Sequence, residues 1–533
     1  MNEKFRLAFK IVGLIVVALF LLIGLSLPFV LIAFYSYAQW FDIFLIMVLV
    51  IIGFLVGLIG MVLFVRQINS MIKKKRAKER MFDVKTHLVN KLASFIMIGL
   101  VFGVYVSIYP NWYYNFGIEP EFGPYIAYHG ETGMQISWDT RTATQSFVEY
   151  GMDPENLNLT AWGGEFYWQG ADKPLSKHHC VVLDGLSENT RYYYRVPSLG
   201  QTIYSFISRP KSGINSTVLF TILGDTQGNL FIQRQNIARM KESTGGFGFW
   251  NFTIIAGDLV NRDDDIAEWA MVFDSKSYGG IASSVPWLAV SGNHEASSSR
   301  SDHLPRSNFK KYFQNTFASN WENPDGNWDI GTYYSFNYSN IHFAMVDTLE
   351  NRNHSISDRQ LAWLSADLAN AKNAGLWTFV VFHSSMYSTS SHGPYPELAD
   401  KIEPLMKTYR IDAMFWGHDH IFEAYHAFSN ESYGGTYCFM VSGGGGSLKK
   451  VEQPEAMGAR VWTGQKNEYG NYINNVSAAL DNRFANLRGS QWQLYGEKTF
   501  HYMQVRIEGN VGNFVAFRTA DGSFIQNYTI YKK

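Results

Sequence analysis

Two cysteines in 533 residues, Cys180 and Cys438, are too few for a disulfide framework and exclude a cysteine-based zinc site. They lie far apart in the chain, so each is expected as a buried free thiol. Charge is scarce as well. Asp, Glu, Lys and Arg make up 17% of the residues, and the formal net charge is -1. No global field draws such a chain to nucleic acid, and no nucleic-acid partner is expected. Apolar residues take the space left, at 47%, and the excess sits in the first 110 residues.

Three runs there carry no Asp, Glu, Lys or Arg: 11–34, 43–65 and, at the short end, 92–109. A bilayer core requires about 20 apolar residues in a helix. Pro28 in the first run is tolerable in such a helix. Lys4, Arg6 and Lys10 precede the first run, and Arg66 to Lys91 holds nine basic residues against Glu79 and Asp83. The connector from Tyr35 to Asp42 has no basic residue. The positive-inside rule then predicts a multi-pass protein of the cell membrane. Its N-terminus and basic loop 66–91 are expected in the cytoplasm, and everything after about residue 110 outside the cell. The lipid bilayer is the one partner this part of the chain implies. The length of the first run argues against a cleaved signal peptide. Sequons at Asn158, Asn215, Asn251, Asn337, Asn353, Asn430, Asn475 and Asn527 agree weakly with an external location.

From about Pro120 to Pro210 the pattern changes to short alternating strands broken by polar turns. Met134–Trp138, Phe147–Tyr150, His179–Leu183, Tyr192–Val196 and Ile203–Ile207 are examples. The stretch from Leu186 to Val196, with Tyr192-Tyr193-Tyr194, resembles the tyrosine corner of a fibronectin type III domain. Residues 118–210 are therefore read as an all-β sandwich that acts as spacer and packing partner.

Beyond it, residues 216–533 alternate strands and helices, an α/β pattern. Six apolar runs each stop at a polar cluster. Val218–Leu223 stops at Gly224-Asp225-Thr226-Gln227, Phe252–Ala256 at Gly257-Asp258, and Trp287–Val290 at Ser291-Gly292-Asn293-His294-Glu295. Trp377–Phe382 stops at His383, Ala413–Trp416 at Gly417-His418-Asp419-His420, and Tyr437–Val441 at Ser442 and four glycines. Ligand sites in α/β sheets lie beyond the C-terminal ends of strands, so these clusters can converge. Asp, Asn and His without Cys suit hard or borderline metals, and the set is large enough for two ions sharing one carboxylate. Paired divalent ions suit an in-line displacement at phosphorus. The tail from Phe500 reads as closing strands with turns at Gly509-Asn510 and Asp521-Gly522.

In order, these clusters resemble the motifs of the calcineurin-like metallophosphoesterase superfamily, and most closely its purple acid phosphatase branch. The resemblance covers about Val218 to Lys533, and a preceding β-module is usual in that branch. It implies a layered αββα domain that hydrolyses phosphate esters with two metal ions. It implies that Asp258 bridges the metals, that Asp225 and His420 hold the first, and that Asn293, His383 and His418 hold the second. His294 would be a catalytic histidine that is not a ligand. His392 would contact substrate, or else be a solvated loop histidine. Asp419 would lie beside the ligands or be exposed.

Two positions depart from the branch. Asn261 stands where the purple enzymes carry the tyrosine that binds iron(III), so a purple centre is not expected. Gln227 stands where other members carry histidine. Its carbonyl can ligate a hard ion without adding charge, or it can hydrogen-bond beside the site; the first is the reading adopted. Divalent manganese, zinc or iron is then expected. The expected activity is a phosphomonoesterase on the outer face of the membrane. The alternatives are a phosphodiesterase acting on nucleotides or lipid head groups, and a non-catalytic surface receptor or adhesion protein on the same fold. A complete set of main ligands with His294 favours an enzyme.

Overall fold

Strands buried on both faces read as unbroken apolar runs, and this chain forms its central strands from such runs. The computed structural model describes residues 122–140, 144–166, 177–245, 250–273, 277–297, 306–313, 332–350, 354–390, 392–444 and 488–532. The three long apolar runs at 11–34, 43–65 and 92–109, and loop 66–91, lie outside the described residues. Among the described residues no helix is long and apolar enough to cross a membrane.

Eight strands come first: β1 (Phe122–His129), β2 (Gly133–Thr140), β3 (Phe147–Gly151), β4 (Leu159–Trp162), β5 (Gly164–Phe166), β6 (Lys177–Leu183), β7 (Arg191–Arg195) and β8 (Tyr204–Ile207). They form two four-stranded sheets, β1-β2-β6-β5 and β4-β3-β7-β8. All pairings in both sheets are antiparallel. Inward side chains such as Ile136, Trp138, Val148, Val181 and Tyr194 are fully buried. The Ser187 N–H donates to the Tyr192 hydroxyl at 2.9 Å, which ties the start of β7 to the preceding loop. Cys180 is only half-buried, against expectation, because alternation along β6 turns it outward; Cys438 is buried.

The second part begins with β9 (Val218–Leu223), α1 (Leu230–Thr244), β10 (Phe252–Ile255), α2 (Ile266–Val272), α3 (Gly279–Ala282), β11 (Trp287–Ala289) and α4 (Ser307–Phe313). It continues with β12 (Tyr334–Tyr338), β13 (Ile341–Met345), α5 (Asp358–Asn373), β14 (Trp377–Val381), α6 (Pro396–Tyr409), β15 (Ala413–Trp416), β16 (Phe422–Ala427) and β17 (Thr436–Val441). It closes with β18 (Gln493–Glu497), β19 (His501–Glu508), β20 (Val511–Arg518) and β21 (Phe524–Tyr531). One sheet has the order β11-β10-β9-β19-β20-β21, the other β12-β13-β14-β15-β17-β16-β18. β11, β10 and β9 run parallel, as do β13, β14, β15 and β17. The sheets face each other across a phenylalanine core, with Phe220 5.2 Å from Phe343 and Phe439 5.6 Å from Phe514 between ring centres. Residues of α1 to α4 pack with the outer side of the first sheet, and α5 and α6 with the outer side of the second. Within each sheet these parallel strands, three in the first and four in the second, therefore end at one common edge.

The β-sandwich is bonded to this part rather than merely preceding it. Tyr125 Oη donates to Tyr312 O at 3.2 Å, Tyr128 Oη to Asn251 O at 3.0 Å, and Tyr194 Oη to Ser283 O at 2.7 Å. Lys311 reaches Asp139 at 3.3 Å in a fully buried pair.

Candidate metal centre

The turns after β9, β10, β11, β14 and β15 bring the candidate ligands together because their backbones bend abruptly. Asp225, Asp258, His418 and His420 all adopt positive φ, between 54° and 82°. Each such non-glycine conformation costs on the order of 1–3 kcal/mol and survives only where the surroundings impose it. Two glycines show how tight the packing is. A Cβ on Gly292 would lie 2.1 Å from Asp258 Oδ1, and one on Gly257 would lie 2.5 Å from His383 Nδ1. Only glycine fits at either place.

Asp258, His383 and His418 offer ligand atoms that all lie within 4.8 Å of one another. So do Asp225, Asp258 and His420. Asp258 is common to both groups, and every member is buried. Asn293 joins the first group, with Oδ1 at 3.0 Å from His383 Nε2 and 2.8 Å from His418 Nδ1. The Nδ1–H of His383 donates to Ala256 O at 2.8 Å, which turns Nε2 toward the pocket. Asp258 Oδ2 is 3.2 Å from that Nε2, and Asp225 Oδ1 is 3.3 Å from His420 Nε2. Lone pairs crowded in this way require a shared proton or a cation, and this donor set of carboxylate, imidazole and amide oxygen fits divalent metals. The electrostatics point the same way. Burial opposes charge on His383, yet the Asp258 carboxylate beside it raises the imidazole to about 10. Burial likewise opposes charge on Asp258, and His383 and His294 hold it well below the usual carboxylate range.

His294 is half-buried at the rim. Its Nδ1–H donates to Asn261 O at 2.7 Å, and Nε2 lies 3.8 Å from Asp258 Oδ2. His392 is exposed and stacks on His418 with ring centres 4.4 Å apart. Gln227 is buried beside both groups, with its amide nitrogen 3.4 Å from Asp258 Oδ2 and 3.5 Å from His420 Nε2. Asn261 faces elsewhere: its amide donates to Glu268 at 2.9 Å. Asp419 is fully buried, which corrects the expectation that it could be exposed. Its Oδ1 accepts the His392 N–H at 2.9 Å, so it anchors the loop that carries His392. Burial first, then the charge of Asp225, pushes its carboxyl up to about 7 despite serine hydrogen bonds. His342 and His426 are structural, bonded to Asn337 and Asp367 and to Gly434 O.

Several residues gain roles that the motifs do not spell out. Glu295 is buried and accepts four backbone N–H groups: Gly292 at 2.7 Å, Asp258 at 3.0 Å, Leu259 at 2.7 Å and Val260 at 3.2 Å. It clamps the turn after β10 to the turn after β11. Ser442, at the end of β17, donates to Asp225 Oδ2 and accepts the His420 N–H at 2.7 Å. Its place at a strand end was the signal. Tyr395 Oη lies 2.8 Å from His418 Nε2. Burial, with Asp419 and Asp258 adding to it, pushes this phenol up to about 12, so it stays protonated.

Residues 218–422 match the calcineurin-like phosphoesterase family, and residues 122–210 match the purple acid phosphatase N-terminal domain. Purple acid phosphatase 21 of Arabidopsis thaliana is 27% identical over 325 residues, covering 58% of this chain and 69% of that protein. Acid phosphatase type 7 of Homo sapiens is 26% identical over 322 residues, covering 56% and 69%. Among solved structures, purple acid phosphatase PPD1 from yellow lupin shares the fold at a TM-score of 0.56 and 18% identity, covering 76% of this chain and 74% of that one. Residues 218–422 are thus a calcineurin-like metallophosphoesterase domain, and a purple acid phosphatase N-terminal domain precedes it. The chain is close to the purple acid phosphatases, and its relatives are phosphoester hydrolases.

Proposed function

We propose that this protein is a phosphomonoesterase anchored in the cell membrane, with its site on the outer face. One observation carries the catalytic reading: two buried ligand groups share the Asp258 carboxylate. Asp225, Asp258, His420 and the Gln227 carbonyl would hold one ion, and Asp258, Asn293, His383 and His418 the other. When bound, such a pair ionises water near neutral pH and stabilises charge on phosphoryl oxygens. His383 is preset as a ligand by its bond to Ala256 O. His294, fixed through Nδ1 by Asn261 O, holds a proton at Nε2 for the leaving oxygen. Burial lowers its pKa, but the Asp258 carboxylate and the bond to Asn261 O outweigh this and raise it. His392 stands at the mouth, where it can meet the incoming ester.

The test uses the purified full chain on a panel of mono- and diesters, before and after chelation and refilling with manganese, zinc or iron(II). Monoester turnover should vanish on chelation and return with divalent metal. Asp258→Asn should lower turnover on the order of a thousandfold or more while the fold persists. His294→Ala should lower turnover with both metals kept. Near wild-type turnover in Asp258→Asn would sink the site assignment, and a clear preference for diesters would replace the monoesterase reading.

A further inference from the structure

Beyond His418 the pocket carries a histidine that the chemistry above does not use. His354 follows β13 and is half-buried, with a left-handed φ of 50°. A parallel bridge between Leu349 and Ser355 pins its loop. Its Nδ1 lies 3.0 Å from Ser384 Oγ. That hydroxyl already accepts from Thr348 Oγ1 at 2.9 Å, so its own proton is available to Nδ1 and the ring proton falls on Nε2. Ser384 directly follows the candidate ligand His383, which fixes His354 to the same turn. One face of the ring stacks on Tyr395, with centres 4.3 Å apart and planes 5° from parallel. The His418 ring is 4.9 Å away. A strained backbone, a hydrogen-bonded Nδ1 and a stacked face together hold the ring and leave one nitrogen, Nε2, for which no protein partner is found among the described residues.

We propose that His354 is a substrate-contacting residue whose Nε2–H donates to an oxygen of the bound phosphoryl group from the His418 side. This rests on the phosphoesterase reading. A donor held rigidly beside the metals adds binding to an oxyanion without needing to move, and a hydrogen bond to a charged group is among the stronger ones. Because the contact would exist in both the substrate and the transition state, it should act on KM more than on kcat.

Inorganic phosphate is the probe, titrated calorimetrically into the manganese-loaded full chain. His354→Phe keeps the flat ring against Tyr395 but removes the donor. It should raise the phosphate Kd and the monoester KM by about tenfold or more, with kcat within about threefold of wild type and both metals retained on elemental analysis. His354→Gln restores an N–H of similar reach and should recover most of the affinity. An unchanged phosphate Kd in His354→Phe overturns the proposal. So does loss of a metal in that variant, which would make His354 a support for His418 instead. A wild-type chain that binds phosphate and metals yet hydrolyses no ester would remove the proposed function alone and leave this contact standing.

Discussion

Gln227 is the residue on which the character of the first metal position turns. Its side chain is 2% exposed, and its amide oxygen is buried without a hydrogen-bond partner among the described residues. An unpaired buried carbonyl is costly, whereas a cation between Asp225, Asp258 and His420 would satisfy it. Rotation of the terminal amide exchanges oxygen and nitrogen, and such flips are assigned from the surrounding bonds. The oxygen would then lie about where the nitrogen now sits, 3.4 Å from Asp258 Oδ2. Gln227→Ala should therefore weaken binding of the first ion by roughly ten- to hundredfold. Gln227→His should tighten it, because imidazole is the better donor to borderline ions. Metal titration decides; unchanged affinity in Gln227→Ala would return the residue to a hydrogen-bonding role. Asn261 completes the picture. Its amide is bound to Glu268 and supplies no phenolate, so the protein is expected to be colourless with divalent metals. A purple protein as isolated would require a tyrosine from elsewhere, and Tyr395, held at about 12 and bonded to His418 Nε2, is a poor candidate.

At the scale of elements, the site is a set of strand ends, and Glu295 is the brace between two of them. Its two oxygens accept from four N–H groups in the turns after β10 and β11. Glu295→Gln keeps size but presents an NH2 where two of those donors point. Each orphaned buried donor costs about 1–3 kcal/mol, so the variant should lose roughly 2–6 kcal/mol of stability. Because Asp258 itself hangs on this brace, metal affinity should fall with it. Unchanged melting temperature and metal content would show that the clamp is incidental. The strand ends were the legible part of the sequence. Val218–Leu223 and Ala413–Trp416 coincide with β9 and β15, and the others differ by a residue or so, because fully buried strands stop abruptly at glycine. The tail turns at Gly509-Asn510 and Asp521-Gly522 also fall between β19, β20 and β21. What could not be read was pairing. Nothing local tells that β19 lies antiparallel beside β9, more than 270 residues earlier, or that β16 lies between β17 and β18. His354 was hidden for a related reason. It sits inside the sequon Asn353-His354-Ser355, which marks only a surface loop, and its partners Ser384, Tyr395 and His418 come from other turns.

For the whole molecule, the proposed membrane anchor makes a testable statement about the side on which this site would work. The hydroxyls of Tyr125, Tyr128 and Tyr194 bond the β-sandwich to the metallophosphoesterase part, so both must lie on the same side. Three crossings, at 11–34, 43–65 and 92–109, would carry them to the side opposite the basic loop 66–91. Protease added to intact cells should then remove a C-terminal tag, while a cysteine introduced at Lys75 should resist impermeant thiol reagents. Sequon use gives a second readout in a glycosylating host. Asn158, Asn430 and Asn527 occupy exposed positions and should accept glycans. Asn251 should not, because its Oδ1 accepts the Leu219 N–H at 2.8 Å, nor should Asn337, which is bonded to His342 at 2.8 Å. A tag protected in intact cells, together with bare asparagines at Asn158, Asn430 and Asn527, would overturn the three-span topology and place the phosphoesterase site in the cytoplasm.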